Sequence, residues 1–400
     1  MAVVGRLPAE IIDSILSVLR ALGPHHLTAC AMVCKLWLSF ARFHLYVSIA
    51  LPGTLGMGHC VLKLKSTMAS SPLSVLVREL DIDAMHIKGQ DGLCLSSLPS
   101  LRKLLIHSVF EEDVRILAGT ILPRLWALEH LGIHGTALLP DHDLVRLLNA
   151  IAKVQSLKHL AFSVPIMKPL WLADALASAT PRTSRSGLLS LDLRDPTGVC
   201  PLSEDVLGAA LIDLFDLREL RSLAVNNATQ SLAIVSQIRD TLEELVTIQR
   251  DTFSEKTPEM PFSPPMLCGS LRHLWIDIPP KIYMDILFRI HCPSLERITL
   301  TCSRDVRDSI RMSLRPQNLP QWQALDERLL ELTRSTALRE VNVVELFSDA
   351  SAPGVPWEAA SPSTREKFRQ MLPRVFRLGL VRTQVYLTRK EAEAEARLLL

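Results

Sequence analysis

Four sets of residues have types and spacings that could do chemistry. Cys30 and Cys34, with His25 and His26 nearby, offer the thiols and imidazoles that hold zinc. His130 and His134 stand four apart, an interval at which two imidazoles on one helix face share a metal. Gly53, Gly56 and Gly58 have the look of a phosphate loop, and Cys200-Pro201 and Cys292-Pro293 have the order of haem-responsive dipeptides. None of the four sets survives closer reading. Cys30 and Cys34, four apart on an expected helix, share a face with Val33 and Trp37, so buried packing accounts for them, and no second ligand pair follows. His130 and His134 fall on an expected strand, where four residues span about 13 Å, too far to share an ion. The glycine spacing runs the wrong way for GxGxxG and no Lys-Ser or Lys-Thr pair follows it, so a flexible connection is expected. Both Cys-Pro pairs lie near element boundaries, where proline belongs.

The chain has no GxSxG, HExxH or kinase signature, so no residue takes a catalytic role and no cofactor or metal is expected. A formal charge of +2 gives no electrostatic footprint for nucleic acid or a membrane surface. No apolar run approaches the roughly 20 residues of a membrane span. The eight cysteines, without a close CxxC pair or a signal-like start, read as reduced thiols of a cytoplasmic or nuclear protein.

The elements that position the remaining candidates repeat along the chain. Apolar-x-x-apolar-x-apolar recurs at Val77/Leu80/Ile82, Leu101/Leu104/Ile106, Leu128/Leu131/Ile133, Leu157/Leu160/Phe162 and Leu188/Leu191/Leu193. It continues at Leu220/Leu223/Val225, Leu271/Leu274/Ile276, Leu295/Ile298/Leu300 and Leu338/Val341/Val343, with Leu242/Leu245/Thr247 carrying one polar intruder. The end of each copy alternates with period two, as in a strand buried on one face. Helical patterns intervene at Val114–Ile121, at Leu144–Ile151 with Asp141 as N-cap, at Val206–Leu214, at Ile282–Ile290 and at Trp322–Leu332. The unit of strand, turn and helix resembles the leucine-rich repeat in an irregular form, which implies a solenoid with a parallel inner sheet and outer helices. Pro-rich stretches at Asp251–Cys268 and Ser348–Ser363 are expected loops, followed by a helix at Arg365–Val375, a strand at Val381–Tyr386 and a helix at Arg389–Arg397.

Aligning the copies places Lys103, His130, His159, Ser190, Ser222, Glu244, His273, Arg297 and Glu340 in one inner-face column. A second column holds Leu105, Gly132, Ala161, Asp192, Ala224, Val246, Trp275, Thr299 and Asn342, and a third includes His134, Ser163, Arg194, Asp277, Thr301 and Val344. Charges of both signs alternate without an arginine cluster, so this face is not built to clamp a phosphopeptide. Candidates for contact with a target protein are His130, His134, His159, Asp192, Arg194, His273, Trp275 and Asp277. Trp275 is either an exposed anchor or a residue covered by the Pro-rich loop before it.

The first 50 residues have another character. Pro8 suits a first helical turn, and Ile11, Ile12, Ile15, Leu16 and Leu19 recur as an apolar stripe that ends at Gly23. Leu27, Cys30, Val33, Cys34, Trp37 and Leu38 draw a second helical face, with Arg42, Phe43 and Leu45 on a short third piece. Three helices this short bury too little surface to stand alone, so an apolar face is left for the rest of the chain or for a partner. The ordered set Leu7-Pro8-x-Glu10-Ile11, Cys30-x-x-Val33-Cys34-x-x-Trp37 and Ala41-Arg42-x-x-Leu45 resembles the F-box of substrate receptors in cullin-RING ubiquitin ligases. The resemblance spans about Gly5 to Ser48, and its segments look especially like those of F-box proteins abundant in mushroom-forming fungi. It implies docking onto a Skp-type adaptor, and through it a cullin, by Leu7, Pro8, Glu10, Ile11, Ile15, Leu16, Leu19, Cys30, Val33, Cys34 and Trp37.

The expected organisation is therefore α/β. A three-helix F-box at 1–50 and a helical linker at 51–76 precede an irregular leucine-rich-repeat solenoid at 77–347, with a Pro-rich loop and cap at 348–400. The expected function is a non-catalytic substrate receptor that raises the local concentration of an unknown target protein at the ligase. The alternative is an interaction scaffold whose F-box-like block does not support ubiquitination.

Overall fold

The computed structural model describes residues 7–22, 24–51, 72–86, 95, 98–135, 139–164, 187–194, 211–225, 232–247, 266–277, 290–303, 319–346, 366 and 368–386. The loops expected at 53–58 and 348–363, most of that at 251–268, the dipeptide at 200–201 and the helix at 389–397 lie outside these residues. The chain forms two compact units, Met1–Ser186 and Gly187–Leu400, which divide inside the stretch expected as a solenoid.

The first unit opens with α1 (Ala9–Leu22), α2 (Pro24–Ala31) and α3 (Lys35–Val47). The carbonyl of Pro8 receives the N–H groups of both Ile11 and Ile12, which starts α1 where the proline ring fits. Ile12 and Leu16 point inward and form a small core with Leu27, Trp37 and Ala41, against which Leu19, Cys30, Ala31, Phe40 and Leu45 are partly buried. The expected second helix is in fact two. Tight bonds from Met32 N–H to Ala29 and from Val33 N–H to Cys30 close α2, and Cys34 is extended (φ −165°, ψ 171°) as the N-cap of α3. Arg42, Phe43 and Leu45 therefore continue α3 and form no third piece of their own. His44 of α3 is buried with its Nε2 2.9 Å from Asp13 Oδ1 of α1, which ties the two helices together.

Five parallel strands follow in this unit: β1 (Ser48–Leu51), β2 (Glu79–Asp83), β3 (Lys103–Val109), β4 (His130–Gly135) and β5 (His159–Ser163). The second unit holds seven more in one parallel set: β6 (Ser190–Asp192), β7 (Ser222–Val225), β8 (Glu244–Thr247), β10 (His273–Asp277), β12 (Arg297–Ser303), β13 (Glu340–Leu346) and β14 (Val381–Tyr386). A separate parallel pair, β9 (Met266–Leu267) with β11 (Ile290–His291), was not anticipated, because two residues are too few for an alternation to show.

All the motif positions named above are buried, Thr247 included. The reason each strand stacks on its neighbour is visible in the backbone. Successive N–H groups entering a strand share one carbonyl of the preceding copy: Glu129 and His130 on Arg102, Lys158 and His159 on Glu129, Glu243 and Glu244 on Arg221, Glu296 and Arg297 on Arg272. These shared carbonyls set the register, so Leu104 lies beside Leu131 and Leu131 beside Leu160, while Leu245 lies beside Leu274 and Leu274 beside Ile298. One irregularity breaks it. Between Ile106 and Val109 two residues of β3 oppose one of β4, a bulge in which Ser108 takes the left-handed φ of 57°.

Of the expected helices, that at 282–290 lies outside the described residues except for Ile290, which is in β11, and only 211–214 of that at 206–214 are described, as helix; the others lie between strands, with shifts at their ends. The first pattern becomes α4 (Glu111–Ile116) followed by a π-helical turn over Leu117–Ile121. The next is α5 (Asp141–Ile151), whose N-cap is Pro140, so Asp141 is its first helical residue and not its cap. A short α6 (Leu232–Ile238) was missed, its seven residues being too few for a helical period to stand out. Near the C-terminus, α7 (Leu319–Ser335) buries Trp322, Leu325, Leu329 and Leu332, and its buried Asp326 accepts the N–H groups of Arg374 (3.0 Å) and Val375 (3.1 Å) that open α8 (Pro373–Arg377).

Candidate docking surfaces

The helical block offers apolar side chains that its own core does not use. Ile11, Ile15 and Val18 follow one another at intervals of four and three, which keeps them on one side of α1, and they are exposed, as is Leu7 just before the helix. A second exposed group, Met32, Val33 and Leu36, sits where the chain breaks between α2 and α3, with Met32 82% exposed. Pro8, Glu10 and Cys34 are exposed too, and Leu19 and Cys30 are half-buried.

Two residues named for docking are internal. Leu16 is fully buried and Trp37 is 8% exposed, so both hold the three helices together and neither presents a free face to a partner. Their apolar character gave no way to tell the inner from the outer side of so short a helix. The expectation that Cys34 packs beside Val33 and Trp37 is likewise corrected: the break at 32–34 leaves Cys34 and Val33 outside. Val18, Met32 and Leu36 were overlooked, although Val18 continues the row of Ile11 and Ile15.

On the sheet, the first and second columns have the register read from the motif within each unit, Lys103–His130–His159 in the first and Ser222–Glu244–His273–Arg297–Glu340 in the second among them. The two units differ in what that face carries.

In the first unit it is polar and half-exposed. The His130 and His159 rings stack with centroids 4.0 Å apart and planes 3° from parallel, and His107 stacks on His134 at 5.1 Å and 9°. The His107–His134 stack spans the bulge, and His107 Nε2 also lies 2.7 Å from Asp81 Oδ1. Burial, followed by the charge of Lys103, lowers the pKa of His130 below the ordinary histidine value, against a smaller opposing effect of Glu129 and Glu79. Gly132 fits between the two histidine pairs because a β-carbon there would collide with Cδ2 of Leu105.

In the second unit the middle of the same face is apolar and closed. Ala224, Val246, Trp275 and Val344 form a buried cluster. Trp275 is 2% exposed, and its Nε1 donates to Thr301 Oγ1 of β12, which lays the indole along the sheet. His273, also 2% exposed, has its Nε2 2.9 Å from Thr299 Oγ1 and its Nδ1 3.4 Å from Glu244 Oε1. The expected exposure of His273 is thus overturned, and of the two readings of Trp275 the exposed anchor is ruled out. Alternation decides which side of a strand a residue takes, and small neighbours on that side let a large ring lie down and be covered.

Asp192 and Arg194 satisfy each other. Arg194 donates from its backbone N–H (3.1 Å) and Nε (2.8 Å) to Asp192 Oδ1, and its Nη2 reaches Oδ2. Asp277 pairs in register with Thr301. On the adjoining edge, Arg297 Nε donates to Glu340 Oε2 at 2.7 Å and Ser222 Oγ to Glu244 Oε2 at 2.8 Å, so the charges of this face are largely spent on one another.

No family model matches the chain, and no curated protein matches its sequence. Among the described residues no helix is long and apolar enough to cross a membrane.

Proposed function

We propose that the chain is a non-catalytic substrate receptor of an SCF-type cullin-RING ubiquitin ligase. Its helical block binds a Skp-type adaptor, and the parallel sheet that follows, read as an irregular leucine-rich-repeat solenoid, holds a target protein. The observation that carries the reading is the exposed row Ile11, Ile15 and Val18 on α1, with exposed Leu7 just before it, beside and about a third of a turn from the core row Ile12 and Leu16. A helix whose apolar arc is wider than the stripe its own core covers has apolar surface to spare, and apolar anchors of this kind dominate protein interfaces. The resemblance of the same residues to the F-box supplies the partner. The receptor then does no bond chemistry. It raises the effective concentration of target lysines at the ligase.

Ile11→Asp with Ile15→Asp tests it, because both side chains are exposed and the core row is left intact. In co-purification with adaptor and cullin the double variant should bind more weakly by at least about 2 kcal/mol, the size of an interface hot spot. Undiminished capture would remove α1 from the interface. Capture of adaptor without cullin by the unaltered chain would favour a scaffold that does not support ubiquitination.

A further inference from the structure

A buried carboxylate in the first unit is left without the bonds its position normally supplies. Helices α4 and α5 each carry an aspartate three residues after the N-cap, and both aspartates are buried: Asp113 and Asp143. In α4 the N-cap N–H of Phe110 donates to Asp113 Oδ2 at 2.9 Å, the back half of a capping box. In α5 the N-cap is Pro140, which has no N–H to give. Asp143 has no exposure at all, and neither of its oxygens accepts a hydrogen bond from a described residue. A buried carboxylate in that condition is costly unless a cation meets it.

The basic side chains now nearby meet it loosely. Arg146 Nη1 lies 3.7 Å from Oδ1, and His142 Nε2 lies 3.3 Å from Oδ2. Glu111 of α4 brings a second carboxylate, such that one ligand atom from each of Glu111, His142 and Asp143 falls within 4.8 Å of the others. We propose that these three residues form a divalent-cation site that pins α4 to α5. One imidazole and two carboxylates suit Zn²⁺ or Mn²⁺.

The geometry is close to what an ion requires. Ligands about 2.0–2.2 Å from a metal lie roughly 3–3.5 Å from one another, so the His142–Asp143 pair is already at chelating separation. Glu111 and His142 are 49% and 68% exposed and free to close the remaining gap by rotation, whereas Asp143 is fixed. The ion would take Oδ2 of Asp143 and leave Oδ1 to Arg146. Glu111 would give up its 3.2 Å contact with Arg115, an exposed i,i+4 pair of small worth. The solvent side keeps a position for water.

The test uses the full chain after chelator treatment, titrated calorimetrically with ZnCl₂ and with MnCl₂, with thermal melting alongside. One saturable site that raises the melting temperature is expected for the unaltered chain, and Asp143→Asn should abolish it. Glu111→Gln and His142→Ala, at exposed positions where folding is not at stake, should weaken it at least about tenfold. The chain's other histidines and cysteines also attract zinc, so X-ray absorption of the zinc-loaded protein must show nitrogen and oxygen neighbours without sulfur. A sulfur shell, or a site of unchanged affinity in both exposed-residue variants, would overturn the proposal. So would a melting temperature raised by Asp143→Asn while the metal has no effect on the unaltered chain, the behaviour of a mere buried pair with Arg146.

Discussion

Trp275 and His130 occupy equivalent faces of strands and should respond oppositely to substitution. The Trp275 indole is enclosed with Ala224, Val246 and Val344 and donates to Thr301, so Trp275→Ala should cost about 3–5 kcal/mol in urea unfolding. A loss below that of an ordinary surface change would mean the ring is not enclosed. His130 is half-exposed, and its effect is one of pH. Because its folded pKa lies below its unfolded value, the unfolded chain binds more protons between the two, and stability rises with pH there. The contribution is complete above about pH 6.5 and is lost as pH falls from there toward the folded value. Wild type should therefore lose stability relative to His130→Gln on acidification, and parallel urea midpoints for the two proteins would refute the shift. The side of the sheet that each residue takes was legible from the alternation alone. Its burial was not, since that depends on the small side chains at 224 and 246, which come from other strands.

The break between α2 and α3 is an element-scale feature with a remedy. Cys34 is the extended N-cap of α3, and its side chain makes no capping bond, while its carbonyl already accepts Leu38 N–H at 2.9 Å. Serine or aspartate there would put an oxygen within reach of the first N–H groups of the helix, worth about 0.5–2 kcal/mol. Thermal melting of Cys34→Ser and Cys34→Asp should show a gain, greater for aspartate, whose charge also suits a helix N-terminus. A fall in melting temperature for both would indicate that the thiol is needed where it stands. This break was not legible because neither glycine nor proline marks it, and Cys30, Val33, Cys34 and Trp37 by themselves keep helical spacing. The helix from Leu319 to Ser335 shows the opposite case: its four apolar residues at intervals of three and four are all buried, and a run that long leaves no second interpretation.

At the scale of the molecule the repeating motif was the most legible feature, because each copy contributes the same three buried positions and, within each unit, shared carbonyls hold most of the strands in register with the one before. What the repetition could not convey is how the polar columns are used. In the second unit, Asp192 with Arg194 and Arg297 with Glu340 pair among themselves, and the apolar residues between are closed over. In the first unit the stacked histidines remain half-exposed, and under the proposed function they are where a target would meet the sheet. Docking and target capture should then separate by substitution in the full chain. Changing His130, His134 and His159 together to Ala removes half-exposed rings and no core residue, so each change should cost about 0.5 kcal/mol or less. Adaptor binding should persist and captured proteins should fall away, whereas Ile11→Asp with Ile15→Asp should do the reverse. Quantitative interaction proteomics with the proteasome blocked reads both arms. An identical set of captured proteins from the triple-histidine variant and wild type would move target recognition off this face and onto the outer helices or the loops.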